Sequence, residues 1–328
     1  MLSVTHLFFD TVVEHPIALN EHKGSAIRGA FFHALRGRPH RTDWRGFCSN
    51  QSAPDCVDCP LIAVCPVARL LATHDPTGAR GHSLPRPITV KPPLGDKGDF
   101  LPGDVLRFGL TVVGDALALL PYVILAVQQG MPVEGLGKRD RLNDYRTGYF
   151  KLREVTTMHP LQGRVDTLWR EGERMVQRPA MPVTHEEVLD YAGHLSSERI
   201  TLRLLTPMRL TDQSKLVRSF RFRPFFQRLM ERLITLSTLF GEETLLADEG
   251  ERHALLDAAE QVAVVDKTKW VDLRSYSTRR RRETPIGGLT GEVTLVGDLA
   301  PFRPWLLWGA QLHVGKDAVK GDGWYYMI

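Results

Sequence analysis

TVVGDALALLPY at residues 111–122 and TLVGDLAPFRPW at residues 294–305 align without a gap, and Gln128 and Gln311 keep the same register. Each begins with β-branched residues suited to a strand, turns at Gly-Asp, and runs on as an apolar helix. A basic, glycine-containing loop follows in both places, GLGKRDR at 135–141 and VGKDAVKGDG at 314–323. A strand then closes each half, YFKLREV at 149–155 and WYYMI at 324–328. In the other direction, residues 11–35 and residues 202–233 each read as strand, turn and helix. Ile27, Phe31, Ala34 and Leu35 supply the three- and four-residue spacing of the first of these helices. Each half therefore has the order β-α-β-β-α-β of a split ferredoxin-like domain. The expected fold is α+β, with two tandem ferredoxin-like domains at 1–195 and 196–328. The alternative is one large α+β domain.

The bulk composition narrows the class. A chain of 328 residues is long for a single domain, and 43% hydrophobic with 24% charged residues is the composition of a folded globular protein rather than a disordered one. The net charge of +4 is too mild to name a partner, so the distribution of charge matters more. The opening MLSVTHLFFD lacks a basic start and reaches Asp10 quickly, which argues against a signal peptide. The most apolar stretch, Ala116 to Val127, is short for a membrane span, contains Pro121, and reads as a buried helix. The expectation is a cytoplasmic protein with no membrane partner.

Cys48, Cys56, Cys59 and Cys65 are the only four cysteines and fall within one short window. The Cys56-Val-Asp-Cys59 pair can place two thiolates on one ion, and the flanking cysteines can complete a tetrahedron. Structural zinc is the first reading, pinning an insertion at about 45–70. An iron–sulfur cluster is second, because Pro66 follows the last cysteine. A disulfide or four free thiols are the remaining readings.

Two basic clusters stand out. Arg279, Arg280, Arg281 and Arg282 are consecutive, with Arg274 and Tyr276 just upstream, and they suit an arginine-bearing hairpin that meets an RNA backbone. In an extended segment alternate residues face opposite sides, so half the run can contact one surface. The second cluster is Lys215, Arg218, Arg221, Arg223, Arg228 and Arg232, with Glu231 against it. Phe220, Phe222, Phe225 and Phe226 interleave with it, either stacking on bases or forming core. The loop at 314–323 either admits phosphate to its amides and Lys316, or simply connects a helix tightly to an edge strand.

The segment from Trp270 to Ile328, with its basic strand pair, Gly-Gly turn, Gly-Asp turn, helix and glycine-rich loop before the last strand, resembles the CRISPR-associated repeat-processing endoribonucleases (the sixth-numbered Cas proteins) of the RAMP superfamily. KGSAIRGAFFHALRG at 23–37 is similar to that family's first helix; residues 70–200 match only in outline. The resemblance implies RAMP-type, RRM-like domains, RNA binding, and RNA cleavage with no cofactor for catalysis. It implies attack by the substrate's 2′-hydroxyl and a 2′,3′-cyclic phosphate product in precursor CRISPR RNA. Histidine, suited to proton transfer near neutral pH, follows the first helix in members that use it. That place is held by His40, with His33 second and His22 third; Lys23 and Tyr276 are candidates if histidine is not used. The implied RNA contacts are Arg274, Arg279, Arg280, Arg281, Arg282, Lys316, Arg218 and Arg221. The implied partners are CRISPR repeat or guide RNA and other CRISPR effector subunits. A non-catalytic RAMP subunit that binds guide RNA is the alternative, and a zinc-stabilised DNA-binding regulator is a distant third, since no helix-turn-helix is apparent.

Overall fold

A computed structural model of the chain describes residues 1–38, 42–53, 56–73, 84–139, 141, 144–179, 181–246, 248–277 and 282–328. The chain divides into two compact units, Thr5–Pro182 and Met1–Val4 with Val183–Ile328. Both are α+β, with antiparallel pairing in their main sheets.

In the first unit the main sheet runs Ile88–Lys91, Val105–Val113, Ser3–His15, Tyr149–His159, Arg164–Arg170. Ser3–His15 lies centrally because its alternating pattern buries Leu7, Phe9, Thr11 and Val13. Phe9 stacks on Phe108 at 5.4 Å, and Phe108 meets Phe150 edge-on at 6.1 Å, so one aromatic file crosses three strands. The helix Lys23–Arg36 covers this sheet with Ile27, Phe31, Ala34 and Leu35, the residues whose spacing marks the helix in the sequence.

Gly114–Glu134 is long and apolar enough, by length and composition, to cross a membrane. It is a composite: a 3₁₀ turn at Gly114–Leu119, α-helix at Leu120–Leu125, a π turn at Ala126–Gly130, and α-helix at Met131–Glu134. Ala116, Val123, Ile124, Val127 and Met131 are buried, whereas Tyr122 and Leu125 are exposed, so the expected burial holds for one face only. Gly130 lets the π turn approach the first helix: a Cβ there would lie 2.7 Å from both Ala34 Cβ and Trp44 Nε1.

In the second unit the sheet order is Ala263–Val271, Gly288–Val296, Arg199–Met208, Tyr325–Met327. In chain order these strands stand second, third, first and fourth, as the corresponding strands of the first unit do. The 19-residue helix Phe222–Phe240 and the helix Arg303–Leu312 pack their apolar residues around Phe302 and Tyr325. Gly309 makes room for the Tyr325 phenol, whose hydroxyl donates to the Leu306 carbonyl at 2.7 Å. The strand, Gly-Asp turn and helix read from both repeated segments are present at Val105–Leu125 and Gly288–Leu312.

Candidate functional site

Within the first unit, the C-terminal turn of Lys23–Arg36 brings together His33, Arg36, Arg38 and Glu134. Glu134 is buried at the end of its own helix and accepts from Arg38 Nε at 2.6 Å. His33 is partly buried, meets Phe32 edge-on at 5.4 Å, and gives its backbone carbonyl to the Gly37 amide at 2.7 Å. Burial, and after it the Arg38 guanidinium, hold the His33 imidazole below its ordinary pKa, with Glu134 opposing. A neutral ring in that position has a lone pair available to accept a proton at pH 7.

His40 lies outside the described residues, in a loop whose base falls between Gly37 and Gly46. Gly37 and Gly46 are in backbone contact across its base, both at positive φ (74° and 66°), where a side chain on either would collide with the other's chain. His22 is buried, its Nδ1 sharing a hydrogen bond of 2.6 Å with Ser25 Oγ. Lys23 donates to the carbonyls of Pro93 and Gly95, and burial lowers its pKa.

The four cysteines line one small cavity of about 20 Å³, together with Arg36, Asn50 and Ile62. All four are half-buried, and none is joined in a disulfide. Among the described residues, no three His, Cys, Asp or Glu side chains stand close enough to hold a metal ion.

In the second unit, Arg218 and Arg209 lie over the Trp270 ring, with guanidinium carbons 4.8 and 5.8 Å from its centroid. Arg209 also donates to the Gly287 carbonyl at 2.9 Å, and its own carbonyl accepts the Lys316 amide at 2.9 Å. Arg209 thus ties the Gly-Gly turn, the aromatic strand and the glycine-rich loop into one face with exposed Arg218 and Lys316. Neither Arg209 nor Trp270 stands out in the sequence as a binding residue. They come together because Leu289, on the strand between, pairs with Trp270 on one side and with Met208, next to Arg209, on the other.

Arg274 is exposed at the start of the hairpin Arg274–Ser277/Arg282–Pro285. Arg279, Arg280 and Arg281 lie outside the described residues, and of Arg282 only the backbone is described. Arg221 is exposed but paired with Asp212 at 2.7 Å, and Arg223 with Glu260 at 2.8 Å. Arg232 is half-buried, donates to the Leu312 carbonyl at 3.1 Å, and has its pKa lowered by desolvation to about 10. The second basic cluster is therefore answered by more acids than Glu231, and part of it is structural. Phe220, Phe222, Phe225 and Phe226 are all buried and pack on one another and on Phe302; core, not base stacking, is their role.

The glycine-rich loop is tightly built. A Cβ on Gly315 would lie 2.6 Å from the Arg209 carbonyl, and one on Gly323 would overlap the Val314 carbonyl. The Gly323 amide donates to Pro207 at 2.9 Å, and Lys320 pairs with Asp317 at 2.8 Å. Close backbone packing thus accounts for these two glycines, and exposed Lys316 is the loop's outward cation.

The chain, two α+β units of which the second carries a basic, glycine-cornered face, shares its fold with several solved structures. A Cas6 product complex aligns over 99% of each chain at 17% identity, with a TM-score of 0.57. Cas6 of Thermus thermophilus aligns over 100% of this chain and 99% of that one at 16% identity, TM-score 0.54. A chain of a partial Cas6-RT-Cas1–Cas2 complex aligns over 100% of this chain but 46% of its own, at 11% identity and TM-score 0.59. No curated protein sequence gives a significant match. A family model for an N-terminal domain matches residues 2–181, and the model for CRISPR-associated endoribonuclease Cas6 matches residues 202–325. On this match the C-terminal part of the chain, residues 202–325, is a Cas6-type domain of the CRISPR-associated endoribonucleases.

Proposed function

We propose that this protein cuts precursor CRISPR RNA within its repeats by a metal-independent route, in which the substrate 2′-hydroxyl attacks the adjacent phosphate and leaves a 2′,3′-cyclic phosphate. The match of residues 202–325 to the Cas6 family carries the reading. The identical strand order of the two units supports a tandem ferredoxin-like architecture. Cleavage of this kind needs a base for the 2′-proton, an acid for the 5′-oxygen and cations for the phosphorane charge. His40 is the first candidate for proton transfer. His33, held neutral by burial and by Arg38, suits the base role if His40 is not the residue. Arg218, Lys316 and Arg274 are exposed cations for the RNA backbone. The partner is repeat RNA, and association with other CRISPR proteins belongs to the same proposal.

The test is a single-turnover reaction of labelled repeat RNA in EDTA, with His40→Ala and His33→Ala alongside. One defined cut carrying a cyclic phosphate, lost in one variant that still binds RNA, supports the assignment. Tight binding without cleavage by the unmodified protein overturns the nuclease reading in favour of a guide-RNA-binding subunit.

A further inference from the structure

We infer that Cys48, Cys56, Cys59 and Cys65 bind one structural zinc ion as four thiolates, and that this ion clamps the base of the loop carrying His40. The metal site stands on its own residues; its consequence for His40 rests on the function proposed above.

The first observation is convergence. Cysteines spread over an irregular segment all reach one cavity of about 20 Å³, room for a single small occupant. Cys56 and Cys59 lie in one turn, closed by the Cys59 amide on the Cys56 carbonyl at 3.2 Å, and both line the cavity. The Asn50 amide group approaches Cys59 Sγ at 3.8 Å, and Arg36 lines the cavity. Both are groups that favour thiolate over thiol. Four cysteine thiolates are a complete donor set for a tetrahedral zinc ion, whose Zn–S bonds are about 2.3 Å long.

The second observation is what this segment lacks. Among the described residues between 42 and 65, none is buried, and Val57, Leu61 and Val64 are exposed. An irregular segment with no core of its own needs another restraint to hold one conformation, and a bound metal is the restraint four cysteines offer.

The third is what the clamp would hold. The segment is laid back along the end of Lys23–Arg36. The Phe47 amide donates to the Leu35 carbonyl at 2.8 Å, Trp44 Nε1 to the Ala34 carbonyl at 2.6 Å, and Gln51 Nε2 to the Arg36 carbonyl at 3.3 Å. Arg36 links back to the Ala53 carbonyl at 3.4 Å. These contacts flank the Gly37–Gly46 crossing, so the ion fixes the chain that leaves this crossing, and His40 falls between those two glycines in sequence.

The experiment is elemental analysis of the full-length protein purified without added metal, followed by cobalt exchange and thiol titration. Expected are about one zinc per chain, a thiolate-to-cobalt charge-transfer band after exchange, and thiols that react only after chelation. Cys56→Ser and Cys59→Ser should each lower zinc occupancy and open residues 42–65 to limited proteolysis, while the bulk of the chain stays resistant. Four thiols that titrate at once in the native, metal-free protein overturn the site. Iron with acid-labile sulfide in place of zinc overturns the choice of metal. Zinc present in a protein that binds but never cuts RNA leaves the site standing and removes only the clamp's catalytic purpose.

Discussion

Lys91 offers a sharp test of the packing in the first unit. It ends the buried strand Ile88–Lys91, its ammonium 5.9 Å from the centroid of the Phe8 ring, and burial lowers its pKa from 10.5 to about 7. The unfolded chain holds that proton far more tightly than the native one, so protonation favours unfolding. The sign is therefore the reverse of a stabilising lysine: the penalty is full below about pH 7, shrinks as pH rises, and vanishes above the unfolded value near 10.5. At about 1.36 kcal/mol per pH unit, the penalty is on the order of 4 kcal/mol at pH 7 and about 1 kcal/mol at pH 10. Lys91→Met keeps the chain length and removes the charge. Urea unfolding should show the variant more stable than the parent at pH 7 by a few kcal/mol, with the gap mostly closed at pH 10. A variant equal to or weaker than the parent at pH 7, or a gap that does not depend on pH, would refute the reasoning.

Other residues give independent checks. Phe226→Ala should cost about 3–5 kcal/mol by opening a cavity beside Phe222 and Phe302, with RNA affinity per folded molecule unchanged; a loss of affinity without a loss of stability would return this ring to base stacking. Gly309→Ala drives a methyl group against the Tyr325 hydroxyl and Leu229, and calorimetry should register an overpacking cost of about 1–3 kcal/mol. Arg218→Ala should weaken repeat-RNA binding roughly equally across sequences and lower the salt slope by about one; an unchanged slope would place Arg218 off the RNA. If His33 is the base, the acid limb of the single-turnover pH profile should fall below the ordinary histidine range, because burial and Arg38 disfavour its protonated form. A limb at or above that range would exclude it.

Local patterning determined a good deal about this chain. The strand, Gly-Asp turn and apolar helix can be read at both 111–122 and 294–305 because each signal spans a few neighbouring residues and needs no distant partner. The first helix is legible for the same reason, since Ile27, Phe31, Ala34 and Leu35 alone define its buried face. The extra strand Arg164–Arg170 is not, because its burial pattern lacks clean alternation. Spacing also cannot separate a stacking phenylalanine from a core one; the face that Phe222–Phe240 turns to the sheet decided that. Glu260 answers Arg223 from far along the chain, and Asp212 answers Arg221 from just outside the cluster, so a count of charge within the cluster overstated the free basic surface. Arg209 and Trp270 are far apart in sequence and ordinary in composition, and strand pairing alone makes them one surface. Sequence thus determined what each segment forms and which residues carry charge or thiols. Tertiary structure decided which of those charges are already spent, because pairing and burial depend on neighbours that only folding supplies.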